Sequence, residues 1–233
     1  MKRTLCKRCL ALPLALAMLF VPVDAAYTPM RDKCVFRRHD NAYRKIALTF
    51  DDGPHPTYTA EILDILADFG VHATFFVIGE NAAAHPDLLM REAAEGHEIG
   101  NHTASHCRMA AATRAELASE ILSCEETVEQ ITDERPDLFR PPEGKCSEMI
   151  SELATSLDYR IVLWCIDTLD WKHPSPERIY DEVISKVRPG DIILFHDFVG
   201  GESQTVKALS MILPELLAQG FVPVTVSELL DSN

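Results

Sequence analysis

Residues 45–54 read KIALTFDDGP, and residues 55–70 continue HPTYTAEILDILADFG. Lys45–Phe50 is short and rich in β-branched and aromatic residues, the composition of a strand. Two carboxylates follow at once, and Gly53-Pro54 then turns the chain. From Tyr58 the apolar residues Ile62, Leu63, Ile65, Leu66 and Phe69 fall at helical spacing, and Gly70 stands where a helix ends on a left-handed residue. Strand, turn and helix therefore follow one another within 26 residues. The pattern recurs along the chain. Strands are expected at Ala73–Ile78, Glu98–Asn101, Leu138–Arg140, Arg160–Ile166, Asp191–Phe195 and Phe221–Val226. Helices are expected at Pro86–Glu95, Arg114–Ile131, Ser147–Leu157, Pro176–Val187 and Gln204–Ala218. Such alternation predicts an α/β fold, a mostly parallel sheet with helices outside, either open or closed into a barrel.

The reactive residues sit just after the predicted strands: Asp51-Asp52, His102, Arg140, Asp167 to Trp171, and His196-Asp197. In parallel α/β barrels, groups at the C-terminal strand ends converge on one mouth, so residues from 51 to 196 can share a site. His102-Thr-Ala-Ser-His106 spaces two imidazoles at i and i+4, which on a helical turn would project from one face. Two histidines and a carboxylate form a common catalytic zinc set that leaves positions open for water, and Asp52 is the natural third ligand. Thr103 occupies the place of the glutamate in the HExxH of zinc proteases, so that class is excluded. Taken alone, Asp51-Asp52-Gly53-Pro54 suits a solvated turn equally well.

Lys2, Arg3, Lys7 and Arg8 precede an apolar run from Cys9 to Val23, and Val23-Asp24-Ala25 resembles a signal-peptidase site. The run falls short of the roughly 18–20 residues of a spanning helix. The expectation is a signal peptide over 1–25, export to the periplasm or medium, no membrane span in the mature chain, and one domain over 26–233. Cleavage removes four basic residues and one acidic residue, leaving 18 against 35. So acidic a chain lacks the basic footprint of nucleic-acid binding. Cys34, Cys107, Cys124, Cys146 and Cys165 remain, compatible with one or two disulfides in an oxidising compartment.

Five stretches together resemble the polysaccharide deacetylase family, the NodB-homology domain of carbohydrate esterase family 4. They are Thr49–Pro54, His102–His106, Phe139–Gly144 (FRPPEG), Asp167–Trp171 (DTLDW) and Leu194–Asp197 (LFHD). The resemblance runs from about Lys45 to the C-terminus. It implies a distorted (β/α)7 barrel and a divalent ion, most often zinc, bound by Asp52, His102 and His106. It further implies Asp51 as general base, steadied by Arg140, and His196 as general acid, supported by Asp170. The main-chain N–H of Glu143 would face the oxyanion, and Trp171 would wall the sugar, though packing explains a tryptophan there equally well. The implied reaction is removal of N-acetyl groups from GlcNAc- or MurNAc-containing polysaccharide, peptidoglycan or chitooligosaccharide. O-deacetylation of a xylan-like polymer is the nearest alternative, and a non-catalytic glycan-binding protein is the alternative of a different class. Glu143 departs from the family pattern, which commonly has Tyr there. It would bind the ion, repel anionic substrates or contact an amine product. Cys107, directly after His106, would ligate a soft metal, pair with another cysteine or pack.

Overall fold

The computed structural model describes residues 35–40 and 42–232. The expected signal peptide and Cys34 lie outside these residues.

The strands are β1 (Val35–Phe36), β2 (Lys45–Asp51), β3 (Thr74–Val77), β4 (Glu98–Asn101), β5 (Leu138–Phe139), β6 (Arg160–Val162), β7 (Ile166–Asp167), β8 (Ile192–His196) and β9 (Val222–Val224). The helices are α1 (Tyr58–Phe69), α2 (Gly79–Ala84), α3 (Pro86–Ala94), α4 (Arg114–Thr132), α5 (Glu148–Ser156), α6 (Pro176–Ile184), α7 (Thr205–Ala218) and α8 (Val226–Leu230). One sheet runs β1-β6-β5-β4-β3-β2-β8-β7, and β9 pairs with the first half of β2. Every pairing between these strands is parallel. The sheet curls into the distorted barrel that the sequence implies, its wall formed by the seven strands from β6 to β7 in that order.

Alternation along β2 explains why its core is apolar on both faces. Ile46, Leu48 and Phe50 point to the helix layer, where Phe50 stacks on Phe75 at 5.1 Å and on Phe195 at 5.5 Å. Ala47 packs with Phe76, Val162 and Ile192 in a second cluster that lines the barrel interior. Each fully buried Phe, Leu or Ile contributes about 1.5–3 kcal/mol of burial free energy. The same alternation sends Thr49 and Asp51 inward.

Several boundaries differ from the sequence expectation. The stretch 160–166 is two strands, interrupted between Val162 and Ile166, because β6 pairs with β5 while β7 pairs with β8. Residues 221–226 split into β9 and the start of α8, where Thr225 caps the helix in a reciprocal capping box with Glu228. The six-residue α2 has no side-chain cap, and nothing local announces it. Gly70 ends α1 at φ 61°, as expected. No helix among the described residues is long and apolar enough to cross a membrane.

Candidate active site

The parallel register sets the level of the reactive groups. Asp51 at the end of β2 lies directly opposite His196 at the end of β8. His102 follows β4, Arg140 follows β5, and Asp170 lies just beyond β7, so all open toward the same end of the sheet.

The Asp51-Asp52 pair does not keep the strand's alternation. Asp52 has φ 78°, a left-handed conformation that a non-glycine residue adopts only at a cost of about 1–2 kcal/mol. The turn swings its carboxylate to the side of Asp51, so one imidazole faces both. His102 Nε2 lies 3.4 Å from Asp52 Oδ1 and 3.8 Å from Asp51 Oδ2. His106 Nε2 is 3.6 Å from the same Asp52 Oδ1.

The two histidines do not sit on a helical turn. Residues 102–106 form an irregular loop in which Thr103 (φ 70°) and His106 (φ 52°) are left-handed. The spacing of four is therefore met by loop geometry, and the rings come to 5.2 Å between centroids. His102 Nδ1 lies 2.7 Å from the Arg140 carbonyl oxygen, which accepts a hydrogen bond from Nδ1–H and leaves Nε2 as the inward-facing lone pair.

A divalent metal fits these residues. Asp52, His102 and His106 each offer a donor atom within 4.8 Å of the others. Asp52 Oδ1 is buried between the imidazoles without an ordinary hydrogen bond. Burial opposes charge on Asp52, but the imidazoles of His102, His196 and His106 hold its carboxyl below the ordinary carboxylate range. Burial likewise opposes charge on His102, and Asp51 and Asp52 more than offset it, raising that imidazole. His106 is lowered, by burial and by its neighbour His102.

Asp51 has a second partner. The fully buried Arg140 donates from Nη1 to Asp51 Oδ1 at 2.6 Å and to Thr49 Oγ1 at 2.8 Å. Its Nε donates to the Val162 carbonyl at 3.1 Å, and its guanidinium lies over the Phe76 ring at 4.0 Å. Burial pulls this guanidinium down from its usual value and Asp51 partly restores it. Opposite, His196 Nδ1 donates to Asp170 Oδ1 at 2.7 Å. Asp170 Oδ2 accepts from the His196 main chain (2.8 Å) and from Thr205 Oγ1 (2.7 Å), so the carboxylate is fixed on both oxygens. Burial disfavours the imidazolium, yet Asp170, aided by Asp51 and Asp52, lifts His196 to about 9.

Trp171 is half exposed beside this pair, its main-chain N–H donating to Asp170 Oδ1 at 2.9 Å. Glu143 stands on the short turn Pro142–Gly144 with φ 57°, its carboxylate exposed and paired with Lys145 rather than turned to the metal donors. The pairing holds Glu143 below its usual range. Cys107 Sγ lies 3.8 Å from Met109 Sδ at the edge of an apolar cluster, and burial raises its thiol. Both residues thus sit beside the site without contributing a donor to the Asp-His-His set.

Sequence reasoning did not anticipate the residues that hold these groups: Thr49, Thr59, Asn81, Thr205 and Asp197. Thr59, Asn81 and Thr205 are common polar residues outside the five quoted stretches, so local spacing carried no signal, while Thr49 and Asp197 fall within Thr49–Pro54 and Leu194–Asp197 without any local sign of what they hold. Asp197 is buried, its carboxyl pushed up to about 7 by burial and by Asp52 despite a hydrogen bond from Thr59.

A parallel curled sheet thus brings Asp51, His196 and a metal-capable Asp52-His102-His106 set to one mouth at its strand ends. Residues 38–162 match the family model for polysaccharide deacetylase. The chain is 44% identical over 192 residues to a peptidoglycan-N-acetylglucosamine deacetylase of Bacillus cereus, covering 82% of this chain and 90% of that protein. It is 37% identical over 188 residues to a chitooligosaccharide deacetylase of Sinorhizobium fredii, covering 76% and 87% respectively. Among solved structures, the Bc1960 peptidoglycan N-acetylglucosamine deacetylase superposes with a TM-score of 0.83 at 37% identity, covering 86% of this chain and 94% of that one. The chain belongs to the polysaccharide deacetylase family and is, like these relatives, a deacetylase.

Proposed function

We propose that the protein removes N-acetyl groups from GlcNAc or MurNAc units of an envelope polymer, peptidoglycan first, with chitooligosaccharide as a soluble surrogate. The observation that carries this reading is the register pairing of Asp51 with His196 across a triad of metal donors. The N-deacetylase relatives support an amide as the bond cleaved. The basic and apolar stretch over 1–25 supports export to the envelope, with 26–233 as one domain.

Asp52, His102 and His106 would hold the ion, and their N,N,O set suits zinc. When bound, a divalent ion supplies Lewis acidity, making water nucleophilic at neutral pH and polarising the acetyl carbonyl. Asp51 takes the proton from the attacking water. Its Oδ1 is occupied by Arg140, which leaves Oδ2, the oxygen facing His102, to receive that proton. As the water oxygen bonds to the carbonyl carbon, negative charge develops on the carbonyl oxygen, and the Glu143 main-chain N–H is the donor proposed to meet it. His196, charged by its contact with Asp170, donates its proton to the amide nitrogen as the C–N bond breaks. The free amine and acetate result. Trp171 offers an apolar wall for the sugar.

The test is acetate release by the chain lacking residues 1–25 from chitopentaose, peptidoglycan and acetylxylan. Release from the first two, abolished in Asp51→Asn and by chelation and restored by zinc, is expected. Release from acetylxylan alone would make the enzyme an esterase. Glycan binding without release by the wild type would make it a binding protein.

A further inference from the structure

The Asp52 side chain reaches the two histidines only because its backbone is left-handed, and this strained turn has to be held. Three contacts hold it, beside the bond from the Asp52 N–H to the Phe76 carbonyl at 3.2 Å. Asn81 Nδ2 donates to the Asp52 carbonyl at 2.7 Å, and the Ile78 N–H donates to the Gly53 carbonyl at 3.0 Å. The third is Asp197. Its carboxylate accepts the Gly53 N–H and, at 2.5 Å, the Thr59 hydroxyl at the start of α1. It lies so close against Gly53 that a Cβ there would fall 2.0 Å from Oδ2 and 2.4 Å from Oδ1 and Cγ. The Asp197 N–H in turn donates to the Asp51 carbonyl at 3.2 Å.

Asp197 is 1% exposed, and no ion pair to it is formed among the described residues. Burying a carboxyl without a cation is costly, so a purely packing role would be filled better by an apolar side chain. It lies behind the turn rather than at the mouth. Thr59 belongs to the first helix and His196 is the neighbouring residue on β8, so one residue ties two elements to the metal-donor turn.

From this geometry we infer that Asp197 is a positioning residue: it clamps the Asp52-Gly53 backbone through Gly53 and Thr59, and thereby aims the Asp52 carboxylate between His102 and His106. The inference rests on the reading of Asp52 as a metal ligand. Partners of this outer kind typically change metal affinity 10- to 100-fold when removed.

The readout is Co²⁺ and Zn²⁺ affinity of the metal-stripped chain, by chelator competition, with circular dichroism to verify folding. Asp197→Ala is expected to weaken both ions by roughly 10- to 100-fold. Asp197→Asn keeps an oxygen that accepts from Gly53 and Thr59, and it is expected to stay within about threefold of wild type, the rescue that distinguishes a clamp from a charge. Gly53→Ala, whose Cβ must displace the carboxylate, is expected to mimic Asp197→Ala and serves if that variant does not fold. Wild-type affinity in both Asp197→Ala and Gly53→Ala would overturn the inference, as would equal loss in the Ala and Asn variants. A wild-type chain that binds neither ion would instead overturn the ligand reading itself.

Discussion

Replacing Asp170 by Asn tests the proposed acid with almost no change in volume. Both carboxylate oxygens of Asp170 accept hydrogen bonds: Oδ1 from His196 Nδ1 and the Trp171 N–H, Oδ2 from the His196 N–H and Thr205. An amide has only one acceptor oxygen. With that oxygen kept on Thr205 and the His196 main chain, the NH₂ group faces Nδ1, which must then lose its proton. His196 stands at about 9 in the native site, against an ordinary value near 6.5, even though burial works against its charge. Loss of an adjacent carboxylate lowers such a group by roughly 1–3 pH units, or about 1.4–4 kcal/mol. At about pH 8 the wild-type imidazole is roughly nine-tenths protonated, and the variant's falls to between about one half and one part in 100. The assay is acetate release from chitopentaose by zinc-loaded enzyme across about pH 5–10. The basic limb of kcat should move to lower pH by about one to three units, with a roughly 2- to 100-fold loss at about pH 8 and a smaller loss at about pH 6. A uniform loss at every pH, with the basic limb unmoved, would refute the reasoning. The same shift bears on stability. Because the folded-state value is raised, its contribution is complete below about 6.5 and is lost as pH rises through about 9. The difference in Tm between wild type and variant should therefore close above that pH.

Arg140→Met leaves Asp51 buried without its cation and should cost about 3–5 kcal/mol, read as a fall in Tm of about 2–4 °C per kcal/mol. Adding Asp51→Asn should recover part of that loss, and an additive double variant would refute the coupling. Glu92 on α3 is fully buried, and neither of its oxygens finds a hydrogen-bond donor among the described residues. Burial, with Asp197 nearby, raises its carboxyl well above the usual range, so the stability it carries is complete below about pH 4.3 and is lost as pH rises through its folded value. Glu92→Met should therefore stabilise by about 1–3 kcal/mol at neutral pH and by less near pH 4, and a gain independent of pH would contradict this. Glu143→Gln breaks only an exposed ion pair with Lys145 and should leave stability within about 0.5 kcal/mol and kcat near wild type, because the proposed donor is main chain. A large loss of kcat would place the carboxylate itself in the chemistry.

The strand–turn–helix at 45–70 carried the fold class by itself, because the period of apolar residues and the punctuation by Gly and Pro are local properties. The reactive residues were legible for a related reason. Acid–base and metal-binding chemistry draws on a short set of residue types that includes Asp and His, and a parallel sheet places its strand ends on one side. What lay beyond local reading was how those residues meet. The pairing of Asp51 with His196 is a register between strands 145 residues apart in sequence. The imidazoles of His102 and His106 converge through left-handed loop residues rather than on a helix, and no spacing rule distinguishes the two. The break within 160–166 likewise depends on two different neighbouring strands. Asp51 and Asp52, adjacent on a strand, would point apart. Only the packed turn, with Asn81 on one side and Asp197 on the other, brings both carboxylates to one imidazole. Sequence fixes which donors the chain owns, and non-local packing fixes their distances, because a strained backbone persists only where surrounding contacts outweigh its cost.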